Sequence, residues 1–498
     1  MFKRLLIANR GEIALRVIRA CRDLGIRSVA VFSEGDRGAS YLAEADQAVC
    51  IGPARSRDSY LNMAAILQAA EQTECGAIHP GYGFLSENAL FAEMCAQAKM
   101  TFIGPPPRAI RLMGDKAVAR STMRELGLPV IPGSEGALRD LEEGRSLAEA
   151  IGYPVLLKAS AGGGGRGMRR VDRPESFDAL YREAEMEADK AFGDPRLYLE
   201  KYIVDGRHIE FQVMADHYGS VVHLGERECS AQRRHQKLLE EAPSTVVTAG
   251  QRRELGDRIC RALAAIGYAN AGTVEFFRDA GGALYFMEMN TRLQVEHPVT
   301  EMITGRDLVV EQIRIACHER LSFGQGDLVL SGHAIECRIN AEDPWDNFRP
   351  APGLVSVFEP PVASGDGVHG GGSGDGAGSA GSGGSGDCAG SGGSVDGVDG
   401  VDVRVDTHLR SGSTIPSYYD SLMAKLIVRG RDRAAARAGL ASALRDFRIE
   451  GVKTTIPVHL AILGDERFAA GDYDTGFVER LLASPQVREQ LGVGRSAP

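Results

Sequence analysis

The chain has 498 residues, of which 43% are hydrophobic and 25% charged, and its formal net charge is −10. This length predicts roughly two to four domains. The acidic balance argues against a general nucleic-acid-binding protein, which needs a basic surface, and no stretch reaches the roughly 20 apolar residues of a membrane span. Nine scattered cysteines form no C-x-x-C pair, so we expect reduced thiols and a cytoplasmic protein.

The first hundred residues alternate short apolar runs with helical patterns. The apolar runs predict strands at 4–8, 28–32, 77–80 and 101–104. Helical periodicity appears between them at 13–24 and 60–72. Strands that alternate with helices imply a parallel sheet. The loop at 8–12 lacks the G-x-G-x-x-G spacing, so a dinucleotide site is not supported.

The central region carries a glycine-rich segment, 158–168 (KASAGGGGRGM), after a helix near 115–126 and a strand at 153–158. Glycines let backbone N–H groups approach an anion closely, and Lys158 and Arg166 add positive charge. The segment is not a P-loop, because no G-K-[ST] follows and the next residues suit a strand. We predict a glycine-rich hairpin lid over a nucleotide phosphate; a plain flexible turn is the alternative.

Two acidic strands follow, the second at 284–292. The two-residue period of a strand puts Glu288, Asn290 and Arg292 on one face. A short turn separates the strands, so we predict a hairpin that brings Glu275 near Glu288. Carboxylate and amide oxygens suit Mg²⁺ that bridges nucleotide phosphates. A solvated polar face is the alternative.

The segment 226–237 (ERECSAQRRHQK) concentrates cations near its end. By itself this cluster is as consistent with a solvated surface as with an anion site. We interpret Cys229 as a packed thiol rather than a nucleophile, since no base is demonstrably beside it. Further along, Glu296 is a candidate general base, and His297, which precedes a proline, is expected to be structural.

The last region combines residues 331–357 and 401–485, in which mixed strands precede helices. A stretch rich in Gly, Ser and Asp, at about 364–400, separates the two parts. Such a composition buries almost nothing and behaves as a flexible coil. We interpret it as a disordered surface loop; a tether or docking arm is the alternative.

Six motifs, in this order, resemble the biotin carboxylase family of the ATP-grasp superfamily. They are IANRGEIALR (7–16), HPGYGFLSEN (79–88), RLMGDK (111–116), GGGGRGM (162–168), EMNTRLQVEHPVTEMITG (288–305) and GHAIECRINAEDP (332–344). The resemblance runs from residue 2 to about 480, apart from the insertion. It implies an α/β protein, α+β overall.

The resemblance also implies how the chain divides. The expected parts are a Rossmann-like, parallel-sheet pre-ATP-grasp domain at 1–113, an ATP-grasp domain at 114–330, a C-terminal biotin carboxylase domain at 331–485 and a tail at 486–498. The glycine-rich lid would cover about 131–203.

Roles for single residues follow from the same resemblance. ATP would be bound by Lys116, Lys158, Gly163, Gly164, Gly165, Glu200, Ile203, His208, Gln232 and His235. The metal ligands would be Glu275, Glu288 and Asn290. Bicarbonate would lie against Lys237, Arg292, Gln294, Val295 and Glu296. The catalytic set would be Glu296, the base on bicarbonate, with Lys237, Arg292 and Arg338, the last of which would bind biotin and stabilise its enolate.

The implied chemistry uses ATP, Mg²⁺ or Mn²⁺, bicarbonate and carrier-bound biotin. Bicarbonate would attack the γ-phosphate to give carboxyphosphate, which would break down to CO₂ and phosphate. The phosphate would take the ureido proton of biotin, and the biotin enolate would attack CO₂. Lid closure would keep water away from the labile intermediate.

The sequence contains no Ala-Met-Lys-Met or Val-Met-Lys-Met biotin attachment site, and we expect its end to leave no room for a carrier or carboxyltransferase domain. The expected partners are a second copy of the chain, a separate biotin carboxyl carrier protein and a carboxyltransferase subunit. Arg19 and Asp23 resemble residues of the family's homodimer interface. This favours one component of acetyl-CoA or propionyl-CoA carboxylase, active in fatty acid biosynthesis or acyl-CoA metabolism.

Three alternatives remain open at this point. They are a subunit of a two-subunit pyruvate carboxylase, another ATP-grasp ligase, and a catalytically inactive nucleotide-binding scaffold. The chain also departs from the family pattern at two single positions. Ala161 replaces a lid glycine, with a small effect expected on lid flexibility, and Thr455 replaces an asparagine, so its local contact is unassigned.

Overall fold

The structure, a computed structural model, describes residues 1–160, 168–361 and 400–490. The predictions for Ala161, Gly163, Gly164, Gly165 and nearly all of 364–400 therefore fall outside the described residues. Within the described part, no helix is long and apolar enough to cross a membrane.

The N-terminal region is a parallel sheet with helices between its strands. Its elements are β1 (Arg4–Ile7), α1 (Gly11–Asp23), β2 (Arg27–Phe32), β3 (Gln47–Cys50), α2 (Met63–Gln72), β4 (Ala77–His79), α3 (Ala89–Gln97) and β5 (Thr101–Phe102). The strand order is β3-β2-β1-β4-β5, and every pairing is parallel. Leu5, Leu6 and Ile7 of β1 are fully buried, as expected for the centre of such a sheet. The predicted parallel sheet is confirmed.

Strand β3 and helix α3 of this region were not predicted. β3 is an edge strand whose side chains are mostly exposed, so its sequence lacks a long apolar run. α3 is short, and the Asn88 side chain caps it by accepting a hydrogen bond from the Phe91 N–H at 2.9 Å. Both elements stay below the length at which hydrophobic periodicity is informative.

A small antiparallel sheet with two helices on it follows. The elements are α4 (Pro107–Gly114), α5 (Lys116–Glu125), α6 (Leu141–Ile151), β6 (Val155–Ala159), β7 (Met168–Val171), α7 (Phe177–Phe192) and β8 (Leu197–Lys201). The strand order is β7-β6-β8. Leu157, Phe177 and Leu199 belong to the core between this sheet and its helices. The opposite face presents Lys158 and Glu200 on neighbouring strands.

The largest sheet has eight antiparallel strands. Its strands up to residue 340, and the helices between them, are β9 (Arg207–Ala215), β10 (Val221–Arg233), β11 (Gln236–Ala242), α8 (Ala249–Ala265), β12 (Asn270–Arg278), β13 (Leu284–Asn290), α9 (His297–Thr304), α10 (Leu308–Ala316) and β14 (His333–Asn340). The next elements are the short strands β15 (Glu342–Asp343), β16 (Arg349–Pro350), β17 (Gly353–Leu354) and β18 (Val357–Glu359).

The remaining elements complete that sheet and cover one of its faces. They are β19 (Val401–Thr407), β20 (Thr414–Ile415), β21 (Leu422–Gly430), α11 (Arg433–Asp446), β22 (Arg448–Glu450), α12 (Ile456–Gly464), α13 (Glu466–Ala470), α14 (Phe477–Ala483) and α15 (Pro485–Gln490). The strand order is β13-β12-β9-β10-β11-β14-β21-β19. The predicted domain boundary at residue 330 does not interrupt this sheet, because β11 before it pairs with β14 after it. Strands from the predicted central and C-terminal parts therefore share one sheet, and side chains from both reach the same cavity.

Candidate active site

One cavity of about 1080 Å³ opens between the three sheets. Among the predicted site residues, those that line it are Lys116, Lys158, Glu200, Ile203, His208, Gln232, His235, Lys237, Glu275, Glu288, Asn290, Arg292, Gln294, Val295 and Arg338. Glu296 has no exposed surface and lies directly behind Lys237. The fold thus brings together residues that are up to 222 positions apart, from Lys116 to Arg338.

At one end of the cavity, Lys158 of β6 forms an ion pair with Glu200 of β8. Arg120 approaches the same carboxylate, with 3.6 Å between its Nε and the Glu200 Oε1. Its guanidinium also donates to the Ser134 carbonyl at 2.9 Å, which ties this end to helix α5. The lysine suits an anionic group of a ligand, the carboxylate suits a hydrogen-bond donor, and Ile203 lines the same end of the cavity.

Two residues with positive φ connect β10 to β11. Arg234 and His235 have φ of 47° and 66° in a two-residue turn between the paired Arg233 and Gln236. This backbone costs about 1–2 kcal/mol for each residue that carries a Cβ. The turn holds His235 at the cavity wall next to Gln232. Two members of the predicted basic cluster, His235 and Lys237, therefore line the cavity, and Arg233 and Arg234 do not.

The acidic hairpin forms as predicted, with Glu275 of β12 directly opposite Glu288 of β13. The Lys116 Nζ lies 2.5 Å from Glu288 Oε2, and the Asn290 side chain donates to Glu275 Oε1 at 2.9 Å. Burial opposes the charge of Glu275, but Lys237 and other neighbouring cations outweigh it and hold the pKa of Glu275 far below its usual range.

These residues fit a hard divalent cation. Two ionisable carboxylates and an amide oxygen point into the cavity, and a lysine already neutralises each carboxylate. A second geometric set also exists, because His208, Glu210 and Glu275 offer ligand atoms within 4.8 Å of one another. Glu275 belongs to both sets, so it is central to either arrangement.

Lys237 is the hub of the inner part of the cavity. Its Nζ lies 2.6 Å from Glu210 Oε2, 2.6 Å from Glu296 Oε1 and 3.2 Å from Glu275 Oε1. Burial disfavours the ammonium, but Cys229 and the three carboxylates outweigh burial and raise the pKa of Lys237 well above its usual range. Cys229 is fully buried, and burial raises the pKa of its thiol, so it is not a nucleophile at neutral pH.

Glu296 lies between two cations. Besides Lys237, Arg338 contacts it, with 2.8 Å between Arg338 Nη2 and Glu296 Oε2. Burial disfavours the carboxylate, yet Lys237 and Arg338 outweigh burial and hold the pKa of Glu296 well below its usual range. Glu296 is therefore ionised at neutral pH and lies at the inner end of the cavity, behind Lys237.

Arg292 and Gln294 extend the polar wall beyond the end of β13. Arg292 Nη1 donates to Gln294 Oε1 at 2.9 Å, and Gln294 donates to Glu275 Oε1 at 3.1 Å. The Arg292 Nε also donates to Glu87 Oε2 at 2.8 Å, which links this wall to the N-terminal region. Arg292, Gln294 and Lys237 thus offer three donors around a small anion.

The backbone of Arg338 is held from behind. Its carbonyl accepts a hydrogen bond from the Thr455 hydroxyl at 3.0 Å and lies 2.7 Å from His459 Nε2. The Thr455 hydroxyl also accepts from the Asn340 N–H at 3.0 Å. Thr455, whose contact could not be assigned from sequence, is thus part of the support of strand β14. His297 is fully buried, and burial lowers its pKa to about 3, in agreement with a structural role.

Sequence reasoning missed four charged residues that shape this site. They are Glu87, Glu210, Arg227 and Glu240. A signal existed for Glu210, since His208, Glu210 and Gln212 alternate on β9 with apolar residues. Arg227 is fully buried and binds Glu210 at 2.6 Å, a contact that depends on sheet register and that no local pattern announces.

Three family models match the chain. Their descriptions are "Biotin carboxylase, N-terminal domain" at residues 1–110, "Carbamoyl-phosphate synthase L chain, ATP binding domain" at 115–323 and "Biotin carboxylase C-terminal domain" at 386–480. Together with the three sheets and the lysine- and carboxylate-lined cavity, they define an ATP-dependent ligase of the ATP-grasp class.

Full-length relatives narrow this class. The chain is 52% identical to the biotin carboxylase of Nostoc sp. over 480 residues, which cover 96% of this chain and 99% of that protein. It is 47% identical to one of the pyruvate carboxylase subunits of Methanothermobacter thermautotrophicus, with 96% and 90% covered. Among solved structures, the biotin carboxylase domain dimer of Hydrogenobacter thermophilus 2-oxoglutarate carboxylase, in complex with MgADP, ADP and bicarbonate, matches with a TM-score of 0.85, 47% identity and all of both chains covered.

The chain belongs to the biotin carboxylase family. The resemblance derived from the six motifs is thereby confirmed, as is the α/β ATP-grasp fold. The chain is accordingly an ATP-dependent carboxylase by family, which argues against a different ATP-grasp ligase.

Proposed function

We propose that the chain is the biotin carboxylase subunit of an acyl-CoA carboxylase and carboxylates biotin on a separate carrier protein. The observation that carries this proposal is the position of Glu296, clamped between Lys237 and Arg338 at the inner end of the cavity. A base, an anion-binding lysine and an arginine for an enolate are the groups that carboxylation of biotin by bicarbonate requires.

The outer end of the cavity is proposed to bind ATP. Lys116 and Lys158 contact the phosphates, and Glu200 with the Ile203 backbone contacts the adenine. His208, Gln232 and His235 lie beside the ribose and phosphates, and Gly163, Gly164 and Gly165 complete the proposed set of ATP-binding residues. Glu275, Glu288 and Asn290 hold Mg²⁺, or Mn²⁺ in its place, which neutralises charge on the phosphates when it is bound.

The inner end is proposed to bind bicarbonate and biotin. Lys237, Arg292, Gln294 and the Val295 backbone hold bicarbonate while Glu296 takes its proton. A bicarbonate oxygen then attacks the γ-phosphorus of ATP, the bond to the β–γ bridging oxygen breaks, and ADP leaves. The resulting carboxyphosphate breaks down to CO₂ and phosphate, and the phosphate takes the ureido proton of biotin. Arg338 stabilises the enolate, which attacks CO₂.

The acyl acceptor defines the larger enzyme. An acetyl-CoA or propionyl-CoA carboxylase is our proposal. A two-subunit pyruvate carboxylase is the second candidate, since the Methanothermobacter pyruvate carboxylase subunit matches over 96% of this chain, as does the Nostoc biotin carboxylase. The partners are then a biotin carboxyl carrier protein and a carboxyltransferase subunit. The separate carrier is supported by the match to the Nostoc biotin carboxylase, 99% of which is covered by this chain.

Reconstitution tests this assignment. The purified chain, its organism's biotinylated carrier and its carboxyltransferases are incubated with MgATP and labelled bicarbonate, and acetyl-CoA, propionyl-CoA and pyruvate are offered in turn. Label in an acyl-CoA supports the proposal. Label in oxaloacetate alone supports the pyruvate carboxylase, and an unlabelled carrier overturns the proposal altogether.

Assembly, domain division and location are further proposals. The homodimer is supported by the dimer of the matching Hydrogenobacter domain and by the exposed Asp23 on α1. The division between 1–113 and 114–330 is supported by the family-model limits at 110, 115 and 323. The C-terminal domain at 331–485, the lid at about 131–203 and the tail at 486–498 stay predictions from the resemblance. A cytoplasmic location is supported by the eight described cysteines, all of which are free.

A further inference from the structure

Lys425 is a wholly buried lysine in the eight-stranded sheet. It lies on β21, and its cross-strand neighbours are Arg338 on β14 and Asp406 on β19. Its side chain has no exposed surface. A buried ammonium is costly unless it is paired and hydrogen-bonded, so its partners indicate what it is there to hold.

Three oxygens surround the ammonium, and each comes from a different part of the chain. The Lys425 Nζ lies 3.0 Å from Glu12 Oε1 at the start of α1 and 3.6 Å from Asp406 Oδ2. It also donates a hydrogen bond of 3.0 Å to the backbone carbonyl of Val295. Burial opposes the charge, but Glu12 and Asp406 outweigh burial and raise the pKa of Lys425, so the group stays protonated.

The Val295 carbonyl has special importance because of where it lies. Residues 291–296 connect the end of β13 to the start of α9 and belong to no helix or strand. This short segment presents Gln294 to the cavity and Glu296 to Lys237. The hydrogen bond from Lys425 supplies, from outside the segment, a fixed point for the peptide between these two side chains.

Glu12 connects Lys425 to a second wall of the cavity, through Tyr82. The Tyr82 hydroxyl donates a hydrogen bond to Glu12 Oε1, the same oxygen that Lys425 approaches. Tyr82 lines the cavity. One buried ion pair therefore ties a cavity wall from the N-terminal region to the segment that bears Gln294 and Glu296.

We propose that Lys425 is a positioning residue for bicarbonate: it fixes the Val295 carbonyl and, through Glu12, the Tyr82 wall, and so sets the inner end of the cavity. This inference rests on the proposed function, because it takes Gln294, Val295 and Glu296 as the bicarbonate site. Lys425 touches no substrate itself. Its loss is expected to affect the affinity for bicarbonate while the nucleotide end keeps its geometry.

The test compares Lys425→Met with a matched control, Arg433→Met. Arg433→Met also breaks a largely buried ion pair, the 2.6 Å contact between Arg433 and Glu241, but Arg433 does not line the cavity. We expect Lys425→Met to raise KM for bicarbonate by about tenfold or more in ATP cleavage. The dissociation constant for MgADP, measured by calorimetry, is expected to change less than about twofold. Arg433→Met is expected to lower the thermal midpoint without raising KM for bicarbonate.

A second variant keeps the test decisive if Lys425→Met does not fold. Lys425→Met combined with Glu12→Gln removes both charges of the pair and leaves Asp406 with Arg404, whose Nη2 lies 2.7 Å from Asp406 Oδ2. A KM for bicarbonate in either folded variant that matches the Arg433→Met value overturns the inference. Wild-type protein that cleaves ATP without any dependence on bicarbonate overturns the proposed function instead, so the two failures are distinguishable.

Discussion

Glu296 is ionised because of its two cationic neighbours, although it has no exposed surface. Lys237 and Arg338 also fix its two oxygens in place, at 2.6 Å and 2.8 Å. A base that is both ionised and immobile is preorganised to take a proton from a bound ligand. The same two ion pairs offset part of the cost of burying this carboxylate.

Glu296→Gln removes the base and keeps the shape of the side chain. We expect bicarbonate-dependent ATP cleavage to fall by about a hundredfold or more. MgADP affinity is expected to stay within about twofold, since Glu296 lies away from the nucleotide end. Glu226→Gln is the matched control, because Glu226 is equally buried and pairs with Arg252 outside the cavity. A Glu296→Gln enzyme as active as this control would exclude Glu296 as the base.

The buried carboxylate of Glu241 is expected to make the stability of the fold sensitive to acid. Burial disfavours its carboxylate, but His333 and Arg433 outweigh burial and lower the pKa of Glu241 to about 2. The unfolded chain has a glutamate pKa of about 4.3, so the contribution is complete above about pH 5 and is lost as the pH falls towards 2. Glu241→Gln should therefore cost on the order of 3 kcal/mol at pH 7 and progressively less below pH 4.

Denaturant unfolding at pH 7, 5, 4 and 3 measures this difference. Glu149→Gln, on an exposed face of α6, serves as the control. A difference between wild type and Glu241→Gln that stays constant from pH 7 to pH 3 would mean that the Glu241 pKa is not lowered.

At the scale of single residues, the sequence predicts which functional side chains are neighbours where they lie on adjacent strands joined by a short turn. Glu275 and Glu288 were predicted as neighbours because both lie on strands joined by a short turn. Lys425 escaped prediction because its partners, Glu12 and the Val295 carbonyl, come from distant segments. A lysine in an apolar strand gives no sign of which carbonyl it will reach until the strand register is known.

At the scale of elements, the β12–β13 hairpin carries the proposed metal ligands. Its register places Glu275 opposite Glu288 and leaves Asn290 at the end of the strand. The turn that joins β12 to β13 is closed by Asp279, whose side chain accepts a hydrogen bond of 2.9 Å from the Ala283 N–H. The ligands and the turn lie at opposite ends of one rigid element, so their effects can be separated.

Glu288→Gln tests the metal role of this hairpin. We expect the Mg²⁺ concentration for half-maximal turnover to rise by about tenfold or more, because one anionic ligand is lost. The thermal midpoint should change little, since the side chain is partly exposed to the cavity. Asp279→Asn in the turn should leave the Mg²⁺ requirement at its wild-type value. An unchanged Mg²⁺ requirement in Glu288→Gln would remove Glu288 from the ligand set.

The Gly, Ser and Asp insertion at 364–400 gives a prediction of the opposite kind. Its composition provides almost no apolar side chains to bury, and chain entropy makes such an insertion inexpensive. Replacement of 364–400 by a short Gly-Ser linker should leave carboxylation of free biotin largely intact. A large loss of activity in a replaced protein with an unchanged circular dichroism spectrum would mean that the insertion is functional.

At the scale of the whole molecule, the eight-stranded sheet unites the central and C-terminal strands. Sequence patterns predicted the parallel sheet and the acidic hairpin, because each depends on neighbours in the chain. The pairing of β11 with β14, which brings Arg338 to Glu296, depends on a contact between strands almost 100 residues apart and could not be derived from periodicity. The motif resemblance supplied the site that local patterns could not.

The measurement that tests the central claim most directly is ADP release by the purified chain with MgATP and bicarbonate, with and without free biotin. Our account predicts a rate that requires bicarbonate and rises when biotin is added. A rate indifferent to biotin, or no ADP release from protein that binds MgADP, would contradict it.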